Sequence, residues 1–237
     1  MKAGTINERY RHSWNVTPDE AIAIQNELRR HVVTENRLAA VNTVAGVDVG
    51  FPNRQTARAA VVVLSFPDLR PRDYAVAEMP VGFPYIPGLL AFREVPVVLA
   101  AVEKLRTMPD LFIFDAQGLA HPRRLGLACH AGLLLERPSV GCAKSRLTGM
   151  YRAPGPERGD RAPLMDGREC IGAVVRTQAK ASPVFVSIGH QVDLDTAVRY
   201  VLDCAPQQRL PETTRYAHRL AGGEHIELDT ETQLRLF

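Results

Sequence analysis

The amino-acid sequence predicts an α/β fold in which a mixed β-sheet is flanked by helices. Three β-branched apolar runs follow one another early in the chain, which is typical of antiparallel neighbours, and strands then alternate with helical segments. The 237 residues are 46% hydrophobic and 23% charged, an ordinary globular composition. The strands do not separate into two groups, so we expect one domain over residues 1–222 and a C-terminal tail over 223–237.

The first helix is predicted to begin at Thr17, which can cap it, with Pro18 at its first position and Glu20 completing a capping box. It should end near His31. Turn-like stretches then separate three strands, predicted over 44–51, 59–66 and 74–81.

A stretch rich in glycine and proline, residues 82–88, precedes the second half of the chain. A helix is predicted to follow, with Pro96 in its first turn. Residues 149–163 are polar and predict an exposed loop. The remaining elements are predicted as helices over 95–106, 122–136, 194–204 and 213–221, and as strands over 111–115, 139–143, 169–176 and 184–188.

The composition limits where the protein is expected to be located and what it is expected to bind. The longest uncharged run, residues 79–92, contains three prolines and is shorter than the roughly 20 residues that a membrane-spanning helix needs. The N-terminus lacks the apolar core of a signal peptide, and the four cysteines form no Cys-x-x-Cys pair. We therefore expect a cytoplasmic protein without a membrane partner. Its net charge of +3 permits a polyanionic partner without establishing one.

Two aspartates occupy positions where a carboxylate is costly. Asp48 lies within the apolar run Val44–Gly50, and Asp115 ends the run that starts at Leu111. A buried carboxylate costs several kcal/mol unless it is paired or bound to a cation. With Glu94, these acids form an oxygen-ligand set that suits Mg²⁺ or Mn²⁺ and phosphodiester hydrolysis. The alternative is that Asp48 caps a turn and Asp115 caps the next helix.

The segment Gly82–Gly88 combines two stiffening prolines with Tyr85 and Ile86. A rigid loop that presents an aromatic and a branched side chain can push between stacked bases, or Tyr85 can stack on one. The alternative is that both side chains cover the core.

Six sequence blocks follow one another along the chain: Gly46-Val47-Asp48-Val49, Pro84-Tyr85-Ile86-Pro87-Gly88-Leu89-Leu90-Ala91-Phe92-Arg93-Glu94, Asp115-Ala116-Gln117-Gly118-Leu119-Ala120-His121-Pro122-Arg123, Gly141-Cys142-Ala143-Lys144-Ser145-Arg146-Leu147, Ser187-Ile188-Gly189-His190-Gln191-Val192-Asp193-Leu194 and Leu210-Pro211-Glu212-Thr213-Thr214-Arg215-Tyr216-Ala217-His218. In this order they resemble the endonuclease V family, which is directed at deoxyinosine.

The resemblance implies a ribonuclease H-like fold and a DNA repair endonuclease. The implied reaction is hydrolysis of the second phosphodiester bond 3′ to deoxyinosine, leaving 3′-hydroxyl and 5′-phosphate ends, with Mg²⁺ as cofactor and Mn²⁺ as a substitute. One alternative is a related nuclease that prefers inosine-containing RNA or broader mismatches. Another is a nucleic-acid-binding module without catalysis.

The resemblance also implies site residues. The catalytic set is Asp48, Glu94, Asp115, Lys144 and His218, of which the three acids bind the metal. Lys144 and His121 match basic residues near the scissile phosphate. The substrate-binding set is Pro84, Tyr85, Ile86, Pro87, Leu89, Ala116, Gln117, Gly118, His121, Ser145 and Arg146. The family has glycine where this chain has Ala116, and proline where it has Thr214.

The last five residues, 233–237, resemble the peptide with which bacterial proteins dock on the DNA sliding clamp. The residues that carry the resemblance are Gln233, Leu234, Leu236 and Phe237. Gly222 and Gly223 with the acidic stretch after them would form a flexible tether. The alternative is that the apolar tail side chains fold back onto the domain. We expect a monomer.

Overall fold

The computed structural model describes residues 6–229, so the predicted clamp-binding residues lie outside the described part. Eight strands form one sheet in the order β3-β2-β1-β4-β5-β8-β7-β6. The strands are β1 Thr43–Asn53, β2 Thr56–Ser65, β3 Pro71–Pro80, β4 Leu111–Phe114, β5 Ser139–Ala143, β6 Arg161–Asp166, β7 Glu169–Val175 and β8 Val184–His190. The α-helices are α1 Pro18–Leu28, α2 Leu90–Val102, α3 Leu127–Leu135, α4 Leu194–Asp203 and α5 Glu212–Ala221, and Glu8–Tyr10 and Arg29–His31 are short 3₁₀ helices.

The mixed sheet confirms the predicted fold class. Strands β1, β2 and β3 pair antiparallel, whereas β4 pairs parallel with both β1 and β5. The sheet then returns to antiparallel pairing through β8, β7 and β6. Parallel pairing is thus confined to the centre of the sheet.

Three elements differ from the prediction. Helix α2 begins at Leu90, so Pro96 lies inside it, because the buried helix face that includes Phe92 and Val98 stabilises the helix by packing on the core. Helix α3 begins only at Leu127, because residues 121–126 form a loop in which Arg124 has a φ of 58°. Strand β6 falls partly within the predicted polar loop, since it is an edge strand that tolerates polar residues and Pro163.

The sheet is covered on both faces. One core packs helices α2 and α3 against side chains such as Val47 and Phe112, and the other includes side chains of α4 and α5 with Val62 and Ile113. Helix α5 approaches β1 so closely that a Cβ added to Gly46 would stand 1.9 Å from the carbonyl oxygen of Thr213. This close approach places α5 over the middle of β1.

The described part of the predicted tail packs on the domain. Ile226 is buried in the second core, and the amide of Asp229 donates to the Pro71 carbonyl at 2.9 Å. The Asp229 carboxylate also lies 3.3 Å from Arg72. Residues 223–229 therefore do not form the expected free tether. Within residues 6–229, no helix is long and apolar enough to cross a membrane.

Candidate functional site

Three carboxylates meet where the parallel centre of the sheet ends. Asp48 lies in β1, and Asp115 directly follows β4, whose Phe114 is in register with Val47. Glu94 lies in the second turn of α2. Burial raises the pKa of Glu94 to about 8, with further increases from Asp48 and then Asp115 that outweigh the opposing effect of Arg93. The three acids therefore interact electrostatically across one site.

Two basic side chains pair with the aspartates. Lys144 directly follows β5, and its Nζ forms an ion pair with Asp115. On α5, His218 Nδ1 donates a hydrogen bond to Asp48 Oδ2 at 2.8 Å. Burial raises the pKa of Asp115, an effect that the hydrogen bond and charge of Lys144 oppose. Four of the five predicted catalytic residues thus form two pairs beside Glu94.

The donor chemistry at this site fits a divalent cation. As the side chains stand, no group of three or more His, Cys, Asp or Glu within residues 6–229 is arranged to hold a metal ion. Both aspartates instead face a basic partner. The three carboxylates, whose negative charges repel one another, nevertheless supply the hard oxygen ligands that Mg²⁺ and Mn²⁺ prefer. The metal-binding role of Asp48, Glu94 and Asp115 stays a prediction.

A cavity of about 390 Å³ opens beside the carboxylates. Residues 85–88 line one side of the cavity and residues 143–147 line the opposite side, and Ala116 and Gln117 also line the cavity. A second pocket of about 300 Å³ is lined by Asp48, His218 and Lys144. Lys144 is common to both pockets, so the larger cavity and the acidic site are adjacent.

The loop 82–88 presents Tyr85 to solvent, with 71% of the residue exposed. Ile86 packs partly against the small core of Phe83 and Phe92. The alternative in which both side chains cover the core therefore fails for Tyr85 and holds in part for Ile86. Leu89, predicted to contact substrate, is 2% exposed and belongs to that core. Its apolar side chain supports the loop from beneath instead.

The cavity floor contains one unpaired acceptor. The side-chain amide of Gln117 donates through Nε2 to the Ser145 carbonyl at 2.8 Å, which fixes the amide orientation because a carbonyl can only accept. Gln117 Oε1 is buried and has no hydrogen-bond partner within the described residues. Ala116 is 9% exposed. Gly118 does not line the cavity; a Cβ there would lie 2.0 Å from the Ile188 carbonyl oxygen, so packing requires the glycine.

His121 does not supply the positive charge that was predicted near the phosphate. It is 3% exposed, and burial lowers its pKa to about 4. Its Nδ1 accepts from the Arg123 amide at 3.1 Å, so its Nε2 carries the proton and donates to the Gly88 carbonyl at 2.9 Å. His121 is therefore a neutral residue that holds the loop 82–88.

Ser145 and Arg146 are exposed on the side of the cavity that faces residues 85–88. Arg146 lines the cavity, and its guanidinium donates to the Gly149 carbonyl at 3.0 Å and lies over the ring of Tyr151. Pro84 and Pro87 are also exposed, on either side of the tyrosine and Ile86.

Sequence reasoning missed three residues that support the site. Arg209 donates to the Lys144 carbonyl at 2.9 Å, and Gln25 and Arg123 both bond to the loop 82–88. Gln25 carries a local signal, because it is a polar residue on the buried face of α1 that also contains Ala21 and Leu28. An amide in such a position requires buried partners.

Comparison with known proteins gives a consistent assignment. The family model described as Endonuclease V matches residues 26–219. An endonuclease V of Trichormus variabilis is 52% identical over 212 residues, which cover 89% of this chain and 96% of that protein. The crystal structure of the Streptomyces avermitilis endonuclease V has a TM-score of 0.85 at 45% identity and covers 89% of this chain and 94% of its own.

A third comparison includes a bound nucleic acid. A Ciona intestinalis endonuclease V variant was crystallised with a 23mer DNA that contains an inosine followed by a ribo-adenosine. It has a TM-score of 0.75 at 25% identity and covers 93% of this chain and 100% of its own. These structures confirm the ribonuclease H-like fold class.

Proposed function

Since the chain belongs to the endonuclease V family, we propose that it is a DNA repair endonuclease that recognises deoxyinosine. The proposed reaction is hydrolysis of the second phosphodiester bond 3′ to the lesion, which leaves 3′-hydroxyl and 5′-phosphate ends. The catalytic domain is assigned to residues 1–222, with the packed extension to Asp229 lying against it.

The observation that carries this proposal is the adjacency of the cavity and the carboxylate site, which share Lys144. The larger cavity has the size of small-molecule sites, which begin at about 300 Å³. It can take one base that has left the stack while the phosphate backbone passes over the carboxylates. Tyr85 stands at the cavity mouth, where an exposed aromatic ring can occupy the space that the base leaves.

The unpaired Gln117 Oε1 favours hypoxanthine over adenine. Hypoxanthine carries a proton on N1, which can donate to this acceptor, whereas N1 of adenine is itself an acceptor. Adenine in the same orientation would place its N1 against Oε1, and these two acceptors cannot bond to each other, at a cost of about 1–3 kcal/mol for a buried group. A deaminated base in a weakened pair is also easier to extract from the duplex.

We assign the divalent-metal role to Asp48, Glu94 and Asp115, with Mg²⁺ as the cofactor and Mn²⁺ as a substitute. A cation bound there supplies activation of water and neutralisation of charge at the phosphorus. Lys144 provides fixed positive charge for the phosphate from its place between the two pockets. His218, with an exposed side chain, orients the Asp48 carboxylate through its hydrogen bond.

Cleavage of a labelled duplex with one deoxyinosine tests the proposal. We expect a nick one nucleotide beyond the inosine with Mg²⁺, none with EDTA and none in the matched adenine duplex. Asp48→Asn should abolish the nick and retain binding, whereas the exposed control Asp195→Asn should cleave normally. Binding without cleavage in the wild type would instead establish the binding module.

An inosine-containing RNA of the same sequence tests the second candidate function. Faster cleavage of that RNA than of the DNA would identify an RNA-directed nuclease, because discrimination depends on contacts with the 2′-hydroxyl. Ala116 bears on base choice, since it lines the cavity where the family has glycine. Broad cleavage of mismatched duplexes would indicate a less selective pocket.

For the C-terminal residues 233–237, we propose docking on the bacterial DNA sliding clamp. An extended peptide of this kind would place Leu236 and Phe237 in an apolar pocket and hydrogen-bond through Gln233. Deletion of 233–237 should abolish clamp binding in a pull-down and leave the cleavage of short duplexes unchanged. Unchanged clamp binding would refute this docking.

A further inference from the structure

The carbonyl oxygen of Gly88, at the base of the loop that presents Tyr85, accepts three side-chain hydrogen bonds. The donors are Gln25 Nε2 at 3.0 Å, His121 Nε2 at 2.9 Å and Arg123 Nη2 at 2.6 Å. A carbonyl oxygen has two lone pairs, so three donors more than saturate it. We call Gln25, His121 and Arg123 the Gly88 clamp.

The three donors also fix one another. Gln25 Nε2 donates to the Leu125 carbonyl at 3.2 Å, and its Oε1 accepts from Arg123 Nε at 2.5 Å. The Arg123 amide donates to His121 Nδ1 at 3.1 Å, which leaves the imidazole proton on the nitrogen that faces Gly88. Helix α1, the loop 82–88 and the loop 121–126 are therefore joined in one closed network.

The charge of Arg123 sets this network apart from an ordinary surface contact. No carboxylate within residues 6–229 forms an ion pair with it, and its side-chain hydrogen bonds go to the neutral oxygens of Gln25 and Gly88. Burial lowers the pKa of Arg123. Holding a guanidinium against neutral oxygens in a partly buried place has a desolvation cost that no ion pair offsets.

The geometry at Gly88 explains why the clamp acts there. Gly88 has a φ of 81°, a left-handed conformation that glycine adopts without strain. The chain turns at this residue from the exposed loop into the buried Leu89. A carbonyl held from three sides fixes the direction in which the loop leaves the domain, and so fixes where Tyr85 stands.

We propose that the Gly88 clamp is a positioning device that stiffens the Tyr85 loop for strand separation. This rests on the proposed function. Unstacking a base step costs a few kcal/mol. A flexible loop would deform against the duplex instead of separating the stacked bases. The hydrogen bonds of the clamp resist this deformation, because they anchor the Tyr85 loop to α1 and to the loop 121–126. The clamp is needed when the base must be extracted and dispensable when the base is already free.

Two substrates separate this role from general stability: deoxyinosine in a duplex and the same deoxyinosine in an unpaired bubble. The variants are Gln25→Met, which keeps side-chain length and removes all three hydrogen bonds, and Arg123→Ala. We expect kcat/KM to fall at least about tenfold on the duplex and less than about twofold on the bubble, so that the two losses differ at least about fivefold, which corresponds to about 1 kcal/mol. Gln25→Glu should also fail, because a carboxylate cannot donate to Gly88.

Arg176→Ala is the matched control, because Arg176 also donates to loop carbonyls, those of Gly155 and Pro154, which do not line the cavity. It should leave the duplex-to-bubble ratio unchanged. An equal loss on both substrates in the Gln25 variants, or no loss on either, would overturn the positioning role.

A measurement independent of cleavage keeps the two proposals distinguishable. A 2-aminopurine beside the deoxyinosine reports unstacking when the protein binds the duplex in EDTA. We expect wild type and Arg176→Ala to raise its fluorescence, and Arg123→Ala to raise it much less. A wild type that raises fluorescence in EDTA more than Arg123→Ala does, but makes no nick when Mg²⁺ is supplied, refutes the proposed endonuclease and retains the clamp. Equal fluorescence in all three proteins refutes the clamp.

Discussion

Replacement of Glu94 by glutamine tests the electrostatic account of the carboxylate site. In the metal-free protein, the pKa of Glu94 rises from its ordinary value of 4.5 to about 8, first through burial and then through Asp48. The folded protein therefore holds a proton that the unfolded chain releases. This stabilisation is complete below pH 4.5 and is lost as the pH rises through 8.

The expected magnitude follows from the size of the shift. Between about pH 5.5 and about pH 7.5 the folded state keeps the proton and the unfolded state does not, which corresponds to about 2.7 kcal/mol at about 1.36 kcal/mol per unit. Residual contact of the carboxylate with water reduces this, so we expect a change of about 2 kcal/mol. Glutamine cannot titrate, so Glu94→Gln lacks this pH dependence.

Urea unfolding in EDTA at those two pH values, for wild type and Glu94→Gln, measures the effect. Burial lowers the pKa of His121 and His190 from 6.5 to about 4, so these histidines take up protons in this pH range only in the unfolded chain; they are present in both proteins and cancel in the difference. The stability of wild type relative to the variant should fall as the pH rises, and added Mg²⁺ should restore it at the higher pH. A difference that stays constant with pH would refute the electrostatic account.

Further predictions concern packing, base choice and the exposed loop. Gly46→Ala should lower the free energy of unfolding by at least about 2 kcal/mol, because its Cβ would stand 1.9 Å from the Thr213 carbonyl oxygen; an unchanged denaturation curve would contradict the close packing of α5. Gln117→Leu should lower the inosine-to-adenine ratio of kcat/KM about tenfold, the equivalent of one hydrogen bond, and a preserved ratio would exclude Oε1 as the discriminating acceptor. Tyr85→Ala should leave the thermal midpoint of unfolding unchanged, since 71% of the residue is exposed, and should reduce cleavage of the duplex more than cleavage of the bubble. An equal reduction on both substrates would show that another residue separates the strands.

The sequence predicted the acids, the cavity-lining loop and the first helix because each has a local signature. Thr17 and Glu20 form the capping box that their spacing indicates. The role of His121 was not predictable in this way, because a histidine's charge depends on burial and on partners distant in the chain. The Gly88 clamp was not predictable from the sequence either, since Gln25 and Gly88 are 63 positions apart in the chain and only the fold brings them together.

The central parallel strands account for the position of the chemistry. Strands β1, β4 and β5 run in one direction, so their carboxyl ends lie at one edge of the sheet. Asp115 and Lys144 are the residues that directly follow β4 and β5, and β1 contributes Asp48 beside them. A site at the carboxyl ends of parallel strands is common in α/β proteins, because the chain leaves the sheet there and the side chains are free to face a ligand. The antiparallel strands on either side cannot gather consecutive strand ends at one edge, so three strands of the eight position Asp48, Asp115 and Lys144, and helices α2 and α5 add Glu94 and His218.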